Sequence, residues 1–96
     1  MTVTKYYNTI TLTSGEDFVC EAEVDMAEHH LTVRFTTASE HDLRFFEIQQ
    51  HDEGYYLFNQ PDETDRVDRE LGIHLNEWFR QLEGSISRVR KESAEN

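Results

Sequence analysis

Cysteine and proline each occur once in this 96-residue chain, glycine only four times, and nine basic residues face 20 acidic ones. Each scarcity excludes something. Cys20 alone cannot close an internal disulfide, so the fold has to rest on its core, and an unpaired thiol on an apolar strand face favours the cytoplasm. No linker, internal repeat or low-complexity segment interrupts the chain before its polar end, which leaves room for one domain and one modest core, on the scale where roughly 60 to 65% of the unfolded surface is buried. Apolar runs stay far short of the roughly 18 residues that read as a membrane span, and the opening MTVTKYYNTI has none of the regions of a signal peptide. A soluble protein that stays where it is made is the expectation.

Chemistry-bearing motifs are missing too. There is no glycine-rich phosphate loop and no Gly-x-Ser-x-Gly elbow. The histidines at His29-His30, His41 and His51 fall in expected turns without the i,i+4 or Cys-x-x-Cys spacing that holds zinc. Acid–base catalysis needs a buried carboxyl with a raised pKa, whereas every acid falls on an expected outer face, turn or helix surface. No enzyme, metal site or cofactor is expected.

What is present is negative charge, unevenly spread. Residues 1–65 carry 14 acids against Lys5, Arg34 and Arg44, a balance of −11, while residues 66–96 carry six acids and six bases. The first two thirds therefore hold the whole net charge. Such a surface repels nucleic acid and anionic membranes and steers towards basic protein surfaces in a salt-sensitive way. Direct DNA or RNA binding is not expected, since Arg88, Arg90 and Lys91 are too few and too close to the end to offset it.

Period-two alternation dominates the first 60 residues. In KYYNTITLT, Tyr6, Ile10 and Leu12 oppose Tyr7, Thr9, Thr11 and Thr13. Ser14-Gly15-Glu16-Asp17 supplies turn chemistry. FVCEAEVDM, residues 18–26, then sets Phe18, Cys20, Ala22, Val24 and Met26 against Val19, Glu21, Glu23 and Asp25. HLTVRFTT continues with Leu31, Val33 and Phe35 inward, and LRFFEIQQ with YYLFN forms a second hairpin around Gly54. Phe45 beside Phe46, and Tyr55 to Phe58, put apolar groups on both faces. Either a loop or the tail covers the second face, or Phe45, Tyr55 and Leu57 form a partner or dimer surface.

After Pro61, the acids Asp62-Glu63 open a helix whose stripe is Val67, Leu71, Leu75, Trp78, Phe79 and Leu82. Gly72 is either tolerated or marks a junction of two helices, and Gly84 reads as a C-cap. The expected fold is α+β: an antiparallel sheet of four to five strands with a carboxyl-terminal amphipathic helix on one face, residues 1–92 forming the domain and 93–96 a frayed tail. Trp78 reads as a core anchor.

Strand residues two apart point the same way, about 6.6 to 6.8 Å from each other, so Glu21, Glu23 and Asp25 make a straight acidic row that can imitate a phosphate backbone. With Glu16, Asp17 and Glu28 in the flanking turns, they are the candidate partner-binding residues. The plainer alternative is an outer-face or edge strand kept soluble by charge.

LNEWFRQLEGS, Leu75 to Ser85, followed by the polar and basic SRVRKESAEN, resembles the carboxyl-terminal part of small phage anti-CRISPR proteins of the type I-F class. There a Leu-Glu-x-Trp-Phe-type segment precedes Gly-Ser and a second helix after an antiparallel sheet. The resemblance implies a phage protein in the host cytoplasm that binds the CRISPR surveillance complex and blocks target DNA. It carries over no functional residue. A bacterial immunity protein or antitoxin covering the basic cleft of a nuclease, and a small dimeric structural or assembly protein, are the other classes that composition allows.

Overall fold

The computed structural model describes residues 2–26, 30–51, 56–58, 62 and 64–95, with side chains described for 3–26, 30–50, 62 and 64–85. Five strands, β1 (Thr2–Thr11), β2 (Asp17–Met26), β3 (His30–Ala38), β4 (Leu43–His51) and β5 (Tyr56–Phe58), form one antiparallel sheet in the order β1-β2-β3-β4-β5. The alternation in the sequence sets the faces. Ile10 lies opposite Phe18, Ala22 opposite Phe35, Val33 opposite Ile48 and Phe35 opposite Phe46, so the apolar positions of neighbouring strands share one side. The β1–β2 turn closes through Leu12 N–H to the Glu16 carbonyl and Gly15 N–H to the Leu12 carbonyl, both at 2.9 Å. Gly15 has φ of 92°, a conformation that a residue with Cβ resists.

One helix follows, α1 (Arg66–Glu95). It begins later than the acids Asp62-Glu63 suggest. Asp62 instead builds a turn: its carboxylate accepts from Thr64 N–H (2.9 Å) and Thr64 Oγ1 (2.6 Å), and its carbonyl accepts from Asp65 N–H. Asp65 is the N-cap, with Oδ1 accepting from Val67 N–H at 2.9 Å and Asp68 N–H at 3.3 Å. Gly72 is no junction, because the helix runs through it and buries it. Gly84 is no cap either. A glycine cap works through a left-handed φ, which among the described glycines only Gly15 adopts, and α1 continues through 84 and 93–95.

The helix covers one face of the sheet. Leu71, Leu75, Trp78, Phe79 and Leu82 join Phe18, Cys20, Val24, Val33, Phe35 and Ile48 in a single buried cluster. Trp78, 8% exposed, packs its ring 5.6 Å from that of Phe35 at 45°. Two polar ties fix the helix at its amino-terminal end. Arg44, at the start of β4, donates to Asp42 (2.7 Å), Asp65 (2.9 Å) and Asp68 (2.5 Å), joining the β3–β4 loop to the cap and first turn of α1. Glu70 accepts from Thr13 N–H (3.2 Å) and Thr13 Oγ1 (2.5 Å), which holds the β1–β2 turn against the same turns of helix.

Candidate protein-binding face

With α1 on one side, the sheet's other side stays open among the described residues, and the strand register orders its side chains into rows. Nearest the β1–β2 turn lie Thr9, Val19, Ala38 and Leu43; next come Tyr7, Glu21, Thr36 and Phe45; then Lys5, Glu23, Arg34 and Glu47; and then Val3, Asp25, Thr32 and Gln49. The face is graded. Its first two rows expose Val19 (61%), Leu43 (57%), Tyr7 (67%) and Phe45 (65%), with Glu21 and Thr36 between Tyr7 and Phe45. The following rows are mostly charged and polar, with Thr32 buried among them and Val3 exposed (48%) at the β1 end of the last.

The acidic row expected from the sequence is present on this face. Glu21, Glu23 and Asp25 are half-buried on β2, the second of five strands, so of the plainer alternative the edge-strand form does not hold and the outer-face form remains. Nor is the row bare. Lys5 Nζ lies 3.9 Å from the Glu21 carboxylate, and Arg34 stands opposite both Glu23 and Glu47. Glu47 also accepts from the Gln49 amide. This interleaving departs from an uninterrupted phosphate-like line: the cations soften the field of the acids beside them, and a partly exposed pair at 3.9 Å is worth little to stability.

Glu16 and Asp17 lie in and beside the β1–β2 turn at the apolar end. Asp17 Oδ1 accepts from Thr11 Oγ1 at 2.6 Å, and Glu16 N–H faces Ser14 Oγ at 3.4 Å, so both also shape the turn. Phe45 joins the row of Glu21, which places the two candidate surfaces on a single face. No described loop covers Phe45, contrary to the first account of the two-faced hairpin: its ring is exposed, while Phe46 turns into the core. Leu57 sits in β5 opposite Gln49, its side chain outside the described residues, as are Glu28 and Tyr55. Val19, Leu43 and Tyr7 were not singled out from the sequence. The signals were the lone valine among the acids of β2 and the leucine opening LRFFEIQQ.

Chemically the rest is quiet. Burial, offset in part by the Ile10 backbone, pushes the Cys20 thiol up to about 11, which suits an inert core residue. Among the described residues no three His, Cys, Asp or Glu side chains are grouped to hold a metal ion, and no helix is long and apolar enough to cross a membrane. Comparison with protein-family models, curated proteins and solved structures finds no significant match for the chain.

Proposed function

We propose that this chain is a small non-enzymatic binding protein that lays the open face of its sheet on a basic surface of a nucleic-acid-handling protein or complex, the part played by a phage inhibitor of the anti-CRISPR kind. One observation carries the reading: Tyr7, Val19, Leu43 and Phe45 stand exposed in the two rows of the open face nearest the β1–β2 turn, with acids, hydroxyls and Val3 beyond them. Interfaces gain most of their energy from a few apolar or aromatic anchors and use surrounding charge for steering and register. Phe45, Val19 and Leu43 are the anchors, and Glu21, Glu23 and Asp25 supply the charged flank. This reading gives the chain no direct DNA or RNA partner, since a net charge of −11 repels polyanions.

The test compares the wild type with a variant carrying Glu21→Gln, Glu23→Gln and Asp25→Gln, against a partner captured by the wild type from cell lysate, at two salt concentrations. Slower association and a flatter salt dependence are expected of the variant. Equal affinities and salt slopes would reduce the acids to a solubility device. The captured protein's identity separates a CRISPR complex from a nuclease toxin, which an immunity protein or antitoxin would cover with the same kind of surface.

The same exposed apolar rows support a second reading, a homodimer joined face to face, because a two-fold axis makes one patch its own partner. Light scattering across a dilution series distinguishes it: a mass that doubles with concentration moves the apolar rows from a partner's interface to the chain's own.

A further inference from the structure

Among the described residues the sheet has two unequal edges. β5 is three residues long, whereas β1 presents ten residues in unbroken register with β2 on one side and, among the described residues, no strand on the other. Such an edge offers a row of main-chain donors and acceptors, and folds usually blunt it with proline, bulges or charge. β1 has no proline and no bulge, and its single charge is Lys5. One local brake is visible: Thr9 N–H already donates to Asn8 Oδ1 at 2.9 Å.

Beneath this edge lies a cleft of about 160 Å³, walled by residues 8–11 of β1 on one side and by His74, Glu77, Trp78 and Gln81 of α1 on the other. It is smaller than the roughly 300 to 1,000 Å³ of a drug-sized ligand site and suits one side chain. Trp78, which is buried, and Glu77, which is exposed, are both among its lining residues. A strand added to β1 sends every second side chain towards α1, over this cleft. We propose that β1 takes an extended basic segment of a partner polypeptide as a sixth strand, with one lysine or arginine side chain entering the cleft beside Glu77. Main-chain pairing supplies the affinity and the cleft supplies the selectivity, as in other strand-addition sites.

A second copy of this chain is the weaker occupant. It would bring together two chains of net charge −11. The α1-facing side of its β1 would offer the cleft Thr4, Tyr6, Asn8 and Ile10, none of them cationic, while Lys5 points to the open face. The site shares with the proposed function only the sign of the partner's charge, and it stands or falls separately from the open face.

The experiment uses the full chain, isotope-labelled for NMR, and an acetylated and amidated octapeptide alternating valine with lysine. The expected result is shifts along β1 and at residues 74–81, with little change at Val19 and Phe45. Replacing lysine by glutamate in the peptide should abolish them. N-methylating alternate peptide amides should weaken binding about tenfold in one phase, which removes main-chain bonds to β1, and little in the other. Glu77→Gln, at an exposed helix position, should weaken the lysine peptide several-fold and leave the fold intact. Absence of binding, equal binding of the glutamate peptide, indifference to both methylation phases, or shifts confined to the open face would each overturn the proposal.

Discussion

Along β2, Phe18, Cys20, Ala22 and Val24 face α1 and are almost wholly buried; one residue over, on the open face, Val19 is exposed and Glu21, Glu23 and Asp25 are half-buried. The two faces are made by the same backbone and exchange roles with a one-residue slip. Their chemistry differs in kind. The covered face is mostly apolar, with the buried Thr37 and the helix-tied Arg44 in the row of Cys20, and it is closed by a helix tied down at one end, so it specifies the fold. The open face mixes exposed aromatics with charges already offset by Lys5 and Arg34, and so contributes little to folding. The exposed apolar side chains on that face are the ground for the proposed interface.

The covered face should be the costly one to damage. Trp78→Ala removes a ring packed on Phe35 and should destabilise by about 3 to 5 kcal/mol. An unchanged denaturation midpoint would take Trp78 out of the core and give it wholly to the cleft beneath β1.

Next comes the tie that orients the helix. Arg44→Met should cost about 1 to 3 kcal/mol, because three carboxylates lose their shared donor. The cost should depend on pH. The Arg44 guanidinium, with the amides of Asp68 and Val67, holds the Asp65 carboxyl below its usual range; Thr13 does the same for Glu70, and Thr64 for Asp62. A carboxyl lowered in the fold stabilises above its unfolded pKa, about 4, and that contribution disappears as pH falls through the folded value. Stability should therefore be flat above about pH 5 and fall below pH 4, and melts of wild type and Arg44→Met should converge as the acid is titrated.

A smaller effect of opposite sign tests the helix itself. Gly84 lies in open space within α1, so Gly84→Ala should stabilise by about 0.5 to 1 kcal/mol. A lower melting point would restore the C-cap that the sequence suggests. Smallest of all is the acidic row: Glu21→Gln, Glu23→Gln and Asp25→Gln together should change folding by less than about 1 kcal/mol.

The sheet was legible because each strand alternates and the turns carry Gly, Asp or Ser; the limits of β2 to β4 fall within a residue of those expected. β1 instead begins at Thr2, ahead of the expected Lys5, because the pairing with β2 carries on to Met26. The helix limits were less legible. Asp62 and Asp65 are equally good caps on paper, and only the bonds from Thr64 and Val67 assign one to a turn and the other to the cap. A glycine such as Gly84 reads as a stop although a long helix, once nucleated, passes through it. The Arg44 cluster joins residues 42, 44, 65 and 68 across the fold and leaves no local pattern. The acidic row was visible, but the cations beside it come from β1 and β3 and become neighbours only through the register.

The central claim, that the open face is the interface, is tested most directly by two surface variants of the same protein. One carries Val19→Thr and Phe45→Ser on the open face; the other carries Ile73→Ser, an equally exposed apolar position on α1. Both should melt within about 1 kcal/mol of wild type, since none of these side chains is buried. Binding to the captured partner should fall about tenfold or more for the open-face variant and stay unchanged for Ile73→Ser. Full affinity in the first, or loss only in the second, would contradict the account.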